Sequence, residues 1–432
     1  MKRLAILGGE PLRTKPFSPW PQFQQTDIDR VVRQIESRRW GGFPLPGPVS
    51  GPFAEQFAAM HGARYGLCVA NGTVAITAAL QAAGIGFRDE VVVPAYTWDG
   101  TATAVLAAGA VPIFADVDPD TYCLSPDSVR SVLTSRTRAV LPVHLAMRFT
   151  EMDALSAIAA ERGLVIIEDC AHAHGGAYRG LGAGSMGAIG CFSFQESKLM
   201  TGGEGGICIT SREDYYEALH TIVNCGRPSP TDKYGQRRLG SNYRMTELQA
   251  CLLQGQLEQL PELRERRTRN AHLLTELLWN IEGVRPLPVQ PGITAGTHYT
   301  FVFQYRPAHR PAPSRDLFVA AVEAEGVPCD GRFYEPVYRS DLFYATTENC
   351  PQLDGSYEGI ECPVTERAAY EEAVWLPQTV LLGGQEDVVD VARAIQAVSE
   401  THEQLAAADP ALAGVKALGR AQRFRTERTR NY

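Results

Sequence analysis

GCFSFQESKLMTGGEGG, residues 190–206, decides how the rest of the chain is read. It spells a short β-strand, one lysine, and a glycine-rich reversal into a second strand, GICIT (206–210). Lys198 is one of only five lysines in 432 residues. Lys2 lies at the terminus, Lys15 beside a proline, Lys233 in a polar loop and Lys416 in the tail, so Lys198 alone falls between apolar strands. Burying an ammonium group is costly unless it has a task. A buried lysine gives up its proton readily, which suits it to forming a Schiff base with a carbonyl compound. On this string alone a surface lysine on a loop is an equal reading.

A second stretch, LVIIEDCAHAHG (164–175), is a β-branched run ending in Glu168-Asp169, where a buried parallel strand delivers its C-terminal end. Ligand sites of open α/β sheets lie at that edge. A lysine that condenses with pyridoxal 5′-phosphate (PLP) needs a carboxylate against the pyridine nitrogen to keep the ring an electron sink, and Asp169 is placed for it. The competing reading of Asp169 is a helix N-cap. A third stretch, VANGTVAITAALQAAG (69–84), opens a helix at Asn71-Gly72-Thr73, with Ala75, Ala78, Ala79 and Ala82 on a small-residue face. Such an N-terminus is either an ordinary cap or an anion cradle of backbone N–H groups. Phosphate cradle, electron-sink carboxylate and Schiff-base lysine in this chain order are far more specific than any one of them alone.

The length favours two domains. A net charge of −8 argues against a nucleic-acid partner held on a basic face. The ten cysteines are scattered without metal spacing, several of them in apolar runs (Cys68, Cys191, Cys208), as in a reduced cytoplasmic protein without a metal site. The start, MKRLAILGGEPLR, has too short an apolar run for a signal peptide, and no run approaches the roughly 18 apolar residues of a membrane span.

Strand and helix patterns alternate through the first 260 residues. They predict a mostly parallel α/β sheet with helices on both faces, followed by a smaller C-terminal α+β domain. The expected divisions are an N-terminal arm (1–47), a large domain (48–260), a small domain (261–405) opened by a charged connector helix from about 262, and a tail (406–432). Phe53, Phe57 and Met60 share a helical face expected to point inward. Asp116, Asp118 and Asp120 in DVDPDTY read as a strand end and turn rather than a metal loop. His144 reads as a satisfied buried histidine, although it could face the ligand. The polar loop within 224–246 is long enough to signal function.

With those residues in hand, the chain resembles the DegT–StrS sugar aminotransferases, fold-type I PLP enzymes, from about residue 15 to about 400. The matching strings are NGT, PAYTW, DVDPDTYCL, PVHLA, EDCAHAHG, FSFQESKLMTGGEGG, GSNYRMTELQA, YEPVY and LPQ. The resemblance implies that Lys198 carries the cofactor and shuttles protons, and that Asp169 meets the pyridine nitrogen. It also implies that Gly72, Thr73 and Ser193 bind the phosphate and that Trp98 stacks on the ring. His172 stands where most members carry a glutamine beside the cofactor's phenolic oxygen. Asn242 matches a residue given to the phosphate by a neighbouring subunit, which implies a homodimer with shared active sites. Arg244 is read equally as a ligand of the donor carboxylate or as a surface ion pair, and Tyr334 and Tyr338 as substrate-selecting groups.

Within the family the pattern leans to L-glutamine:scyllo-inosose and 2-deoxy-scyllo-inosose aminotransferases. The implied reaction moves an amino group from L-glutamine or L-glutamate to the ketone of a cyclitol or sugar through pyridoxamine 5′-phosphate. Aminotransferases of nucleotide-linked keto sugars and aminohydroxybenzoate-synthase-like dehydratases remain alternatives. A PLP-binding regulator would need a DNA-binding element, and a nicotinamide enzyme a GxGxxG turn after the first strand; neither is found.

Overall fold

The computed structural model describes residues 3–228, 238–308 and 312–412. In chain order the elements are α1 (Gln25–Glu36), α2 (Ser50–Met60), β1 (Tyr65–Val69), α3 (Gly72–Ala82), β2 (Glu90–Pro94), α4 (Gly100–Ala107), β3 (Val111–Ala115), α5 (Pro126–Val132) and β4 (Thr137–Val140). Next come α6 (Met152–Arg162), β5 (Val165–Asp169), the two-residue strands β6 (Ala177–Tyr178) and β7 (Leu181–Gly182), β8 (Ile189–Ser193), β9 (Gly206–Thr210), α7 (Glu213–Val223) and α8 (Glu247–Leu278). The rest are β10 (Val284–Pro286), β11 (Ile293–Ala295), β12 (Thr300–Tyr305), α9 (Arg315–Ala324), α10 (Pro363–Arg367), β13 (Ala373–Pro377), α11 (Gln385–Glu400) and α12 (His402–Leu412).

Seven strands form the main sheet in the order β1-β9-β8-β5-β4-β2-β3. Strand β9 runs antiparallel to both its neighbours, while β8, β5, β4, β2 and β3 are mutually parallel. Successive residues of β2 show why the sheet is covered on both sides. Val91 and Val93 pack with Ala75, Ala79 and Ala102 of α3 and α4, and Val92 packs with Leu155 and Ile158 of α6. This is the α/β architecture the alternation predicts.

A second, antiparallel sheet, β10-β12-β13, buries Phe301, Phe303 and Trp375 against α9 and α11. Tyr96, Val143 and Leu145, from loops that leave the main sheet, join this second core. The second core therefore lies against the C-terminal edge of the main sheet, and the space between them is the natural place for a ligand.

Several element boundaries differ from the sequence reading. The connector helix begins at Glu247, capped by Thr246 and Gln249, and passes without interruption through Pro261. Its first half packs Ala250 and Leu253 into one core and its second half Ala271 and Leu274 into another, so a division at 260/261 cuts a continuous helix. The arm contains α1, which lies along α8; a side chain at Gly255 would collide with Asp27, and Arg30 bridges to Glu258 at 2.6 Å. Phe53 and Phe57 are fully buried as expected, but Met60, in the last turn of α2, is exposed. Helix α12 runs into the stretch read as a tail, of which 413–432 lie outside the described residues, as do 229–237 of the polar loop. No described helix is long and apolar enough to cross a membrane.

Candidate active site

Parallel strands present their C-terminal ends together, and that edge collects the residues singled out in the sequence. Asn71-Gly72-Thr73 follow β1, Trp98 follows β2, His144 follows β4, Asp169 and His172 close β5, and Ser193 and Lys198 close β8. Each is placed by the strand before it, so the clustering follows from topology.

Asp169 is buried, with Oδ2 accepting from the Thr101 hydroxyl at 2.9 Å and Oδ1 from the Ala171 N–H at 3.1 Å. Burial raises its carboxyl above the usual carboxylate range, opposed by those two donors and by the nearby Lys198 cation. Its neighbour Glu168 has a structural task. His144 Nδ1 accepts from the Thr150 N–H at 3.3 Å, so Nε2 carries the proton and donates to Glu168 at 2.9 Å. Glu168 also accepts from the Gly184 and Gly187 N–H groups. His144, Glu168 and Cys170 lie close enough to share a metal ion, yet the histidine and carboxylate lone pairs are already committed. His144 is the satisfied buried histidine of the first reading. Asp118 likewise makes a turn, its Oδ1 accepting from Asp120 and Thr121, and Asp116 caps the start of α10 at Val364 and Thr365.

At the other end, Asn71 caps α3 by accepting from the Val74 N–H at 2.9 Å. A Cβ on Gly72 would come within 2.6 Å of Ser193 Cβ, so glycine is what lets the helix start directly against β8. A Cβ on Gly100 would meet the Trp98 indole at 2.6 Å and the Thr73 hydroxyl at 3.1 Å, which places both side chains beside the same helix start. Trp98 is 47% exposed.

Lys198 Nζ lies 4.8 Å from the centre of the Tyr299 ring. That ring stacks on His172 at 4.0 Å, and its hydroxyl bonds to Ser197 at 2.9 Å. Both nitrogens of His172 have protein partners: Nδ1 accepts from the Ala146 N–H at 3.2 Å, and Nε2 meets Tyr334 Oη at 3.3 Å. The neutral ring therefore carries its proton on Nε2, toward Tyr334. Gln378 donates to the carbonyls of Ser197 (2.9 Å) and Lys198 (3.3 Å). Tyr299 was not singled out in the sequence, where it opens an ordinary-looking strand, and Gln378 entered only as the end of the matching string LPQ, with no role attached.

The remaining candidates lie apart. Tyr338 donates to Glu366 at 2.7 Å and packs on Phe114, so its hydroxyl is committed away from Lys198. Arg244 Nη1 donates to Asn224 Oδ1 at 3.0 Å and to Cys225 Sγ at 3.4 Å. Asn242, bridged to Asn224, faces outward.

Residues 22–396 match the DegT/DnrJ/EryC1/StrS aminotransferase family. The chain belongs to that family. A relative from Streptoalloteichus tenebrarius, provisionally named an L-glutamine:3-amino-2,3-dideoxy-scyllo-inosose aminotransferase, is 41% identical over 411 residues, covering 93% of this chain and 99% of the relative. The L-glutamine:2-deoxy-scyllo-inosose aminotransferase of Streptomyces fradiae is 37% identical over 418 residues, covering 91% and 97%. Among solved structures, 3-amino-5-hydroxybenzoic acid synthase superposes with a TM-score of 0.79 at 33% identity, over 89% of this chain and 99% of that one. DesI, solved in the presence of its TDP-sugar product, gives 0.80 at 29% identity, over 94% and 98%.

This DegT/DnrJ/EryC1/StrS enzyme is an aminotransferase, and its cofactor is PLP. The residues present fit that group. Glycine at 72 brings the start of α3 against the Ser193 hydroxyl, a pairing of helix N–H groups and hydroxyl that suits a phosphate; Asp169 is a buried carboxylate at the same edge, and Lys198 supplies the amine.

Proposed function

We propose that the enzyme transfers the amino group of L-glutamine to the ketone of a cyclitol, with an amino-bearing deoxy-inosose as the first acceptor to test. The observation that carries this reading is the convergence of Gly72 with Ser193, Asp169 and Lys198 on one sheet edge, in a chain 41% identical to a protein provisionally named for that reaction. The relatives named for 2-deoxy-scyllo-inosose, at 37% identity and below, support the unaminated ketone as the second acceptor.

Gly72, Thr73 and Ser193 hold the phosphate with the first N–H groups of α3. Trp98 covers one face of the ring. Asp169, fixed by Thr101 and Ala171, keeps the ring nitrogen protonated. Bound PLP supplies the electron sink. Lys198 Nζ anchors the cofactor, takes the proton from the donor's α-carbon, and later delivers a proton to the former carbonyl carbon of the acceptor. Tyr299 and His172 wall the space beside Lys198 and exclude water from that proton's path. Asn242 reaches the phosphate of a second copy, which makes the working enzyme a homodimer acting in the cytoplasm.

The test is an absorption spectrum of the purified protein before and after L-glutamine, followed by product analysis with the two deoxy-inososes. A band at roughly 410–430 nm that moves toward about 330 nm is expected. A band that ignores amino donors, or donor turnover without any amine formed on either inosose, would overturn the reading.

A further inference from the structure

Arg267, on α8, is fully buried, and among the described residues no carboxylate pairs with it. Among those residues its one polar contact is Nη1 donating to Gln378 Oε1 at 3.0 Å, while Nε and Nη2 meet no acceptor there. A cation held this way is expensive, so its placement calls for a reason. The contact has a geometric consequence. A guanidinium can only donate, so Gln378 must turn its oxygen toward Arg267, and its amide NH₂ is left to grip the carbonyls of Ser197 at 2.9 Å and Lys198 at 3.3 Å. One amide thus separates the buried charge from the backbone that carries Lys198.

Among the described residues no group around this arrangement neutralises the charge. Burial first, and then Arg264 and Arg266 on the same helix, pull the Arg267 guanidinium down to about 9. His174, whose Nε2 meets Ser193 O at 2.8 Å, and His298 are both pushed down to about 3, first by burial, so neither is protonated at neutral pH. Asp169 is a carboxylate near enough to interact with the Lys198 charge.

We propose that Arg267 is a positioning residue for Lys198: through Gln378 it fixes the backbone of the lysine turn, and its unneutralised charge favours the uncharged amine that must accept a proton. The inference rests on the role proposed above for Lys198. It assigns a task to a buried residue of α8.

Two variants separate its two parts. Arg267→Met removes charge and donor, and Gln378→Leu keeps the charge but releases the backbone. Each PLP-loaded protein is titrated with base while its visible absorption is followed, which reports protonation at the Lys198 nitrogen, and kcat and KM for L-glutamine are measured alongside. Arg267→Met is expected to raise the absorption midpoint by about one pH unit and to lower kcat by about tenfold with KM within about twofold. Gln378→Leu should lower kcat with the midpoint unmoved. A wild-type midpoint and kcat in Arg267→Met would overturn the proposal. Should that variant fail to fold, wild-type kcat in Gln378→Leu would overturn it equally. A wild-type protein without any cofactor band would bring down the Lys198 reading and this one with it; a normal wild-type band left unchanged by the variants brings down this inference alone.

Discussion

The two walls of the site are built in different ways. The wall from Asn71 to Lys198 consists of residues set just past the C-terminal ends of strands of the main sheet, so that sheet brings them together. The opposite wall is brought from the second sheet and its loops. Tyr299 meets Ser197 from 102 residues along the chain, Tyr334 meets His172 from 162, and Gln378 meets Ser197 from 181. The first wall is held by backbone pairing, the second by side-chain contacts of 2.9–3.3 Å, each worth only about 1 kcal/mol net. The second kind of support is the one that small shifts between the two cores can retune.

Changes in the cofactor wall should therefore abolish the reaction, and changes in the opposite wall should only modulate it. The largest effect is expected of Lys198→Ala, with turnover falling by roughly 10⁴-fold or more while circular dichroism stays that of the wild type. Residual turnover within tenfold of wild type would remove Lys198 from the chemistry. Asp169→Asn should lower kcat by roughly 10²-fold or more without unfolding the protein, because the amide cannot keep the ring nitrogen charged. Gly72→Ala must displace Ser193 or the start of α3. It should cost about 1–3 kcal/mol, read as weaker PLP affinity in a fluorescence titration; wild-type affinity would show that the close approach does not matter.

Burial next to the site also predicts a pH dependence. His61, His174 and His298 each have a folded-state pKa of about 3, below the ordinary value of about 6.5, with burial the first cause. Between these values the unfolded chain binds protons that the native protein refuses, so stability is full above pH 6.5 and is lost as pH falls toward 3. The slope is about 1.4 kcal/mol per pH unit for each histidine, measurable as the urea midpoint against pH. A flat midpoint from pH 7 to 5 would contradict the buried neutral rings. The smallest effect is expected in the opposite wall. Tyr299→Phe loses the bond to Ser197, about 1 kcal/mol, and a double-mutant cycle with Ser197→Ala should recover that coupling. Loss of all activity in Tyr299→Phe would erase the contrast between the walls.

Much of the cofactor wall was legible because its signals are local. A β-branched run ending in Asp169, a lysine isolated between apolar strands, and Asn-Gly-Thr opening a small-residue helix each combine backbone preference with chemistry inside a dozen residues. The misreadings have equally physical causes. Pro261 and the charge that follows it suggest a helix start, yet the continuous packing of α8 against two cores carries the helix through. The proline-rich start disguised α1, whose docking depends on a glycine more than two hundred residues away, Gly255, leaving room for Asp27. Met60 keeps the helical period of Phe53 and Phe57 but lies in the last turn of α2, where the core has ended.

By itself, the sequence determined the order of strands and helices and the residues at each strand's end, because these depend on short-range periodicity and on the fixed edge at which parallel strands release the chain. Only the tertiary structure decided that His172 is tied to Tyr334 and Tyr299, that Tyr338 bonds to Glu366, and that a buried Arg267 bonds to the Gln378 that holds the Ser197 and Lys198 carbonyls. Those outcomes depend on which surfaces come into contact, and no local pattern of residues encodes a contact between positions far apart along the chain.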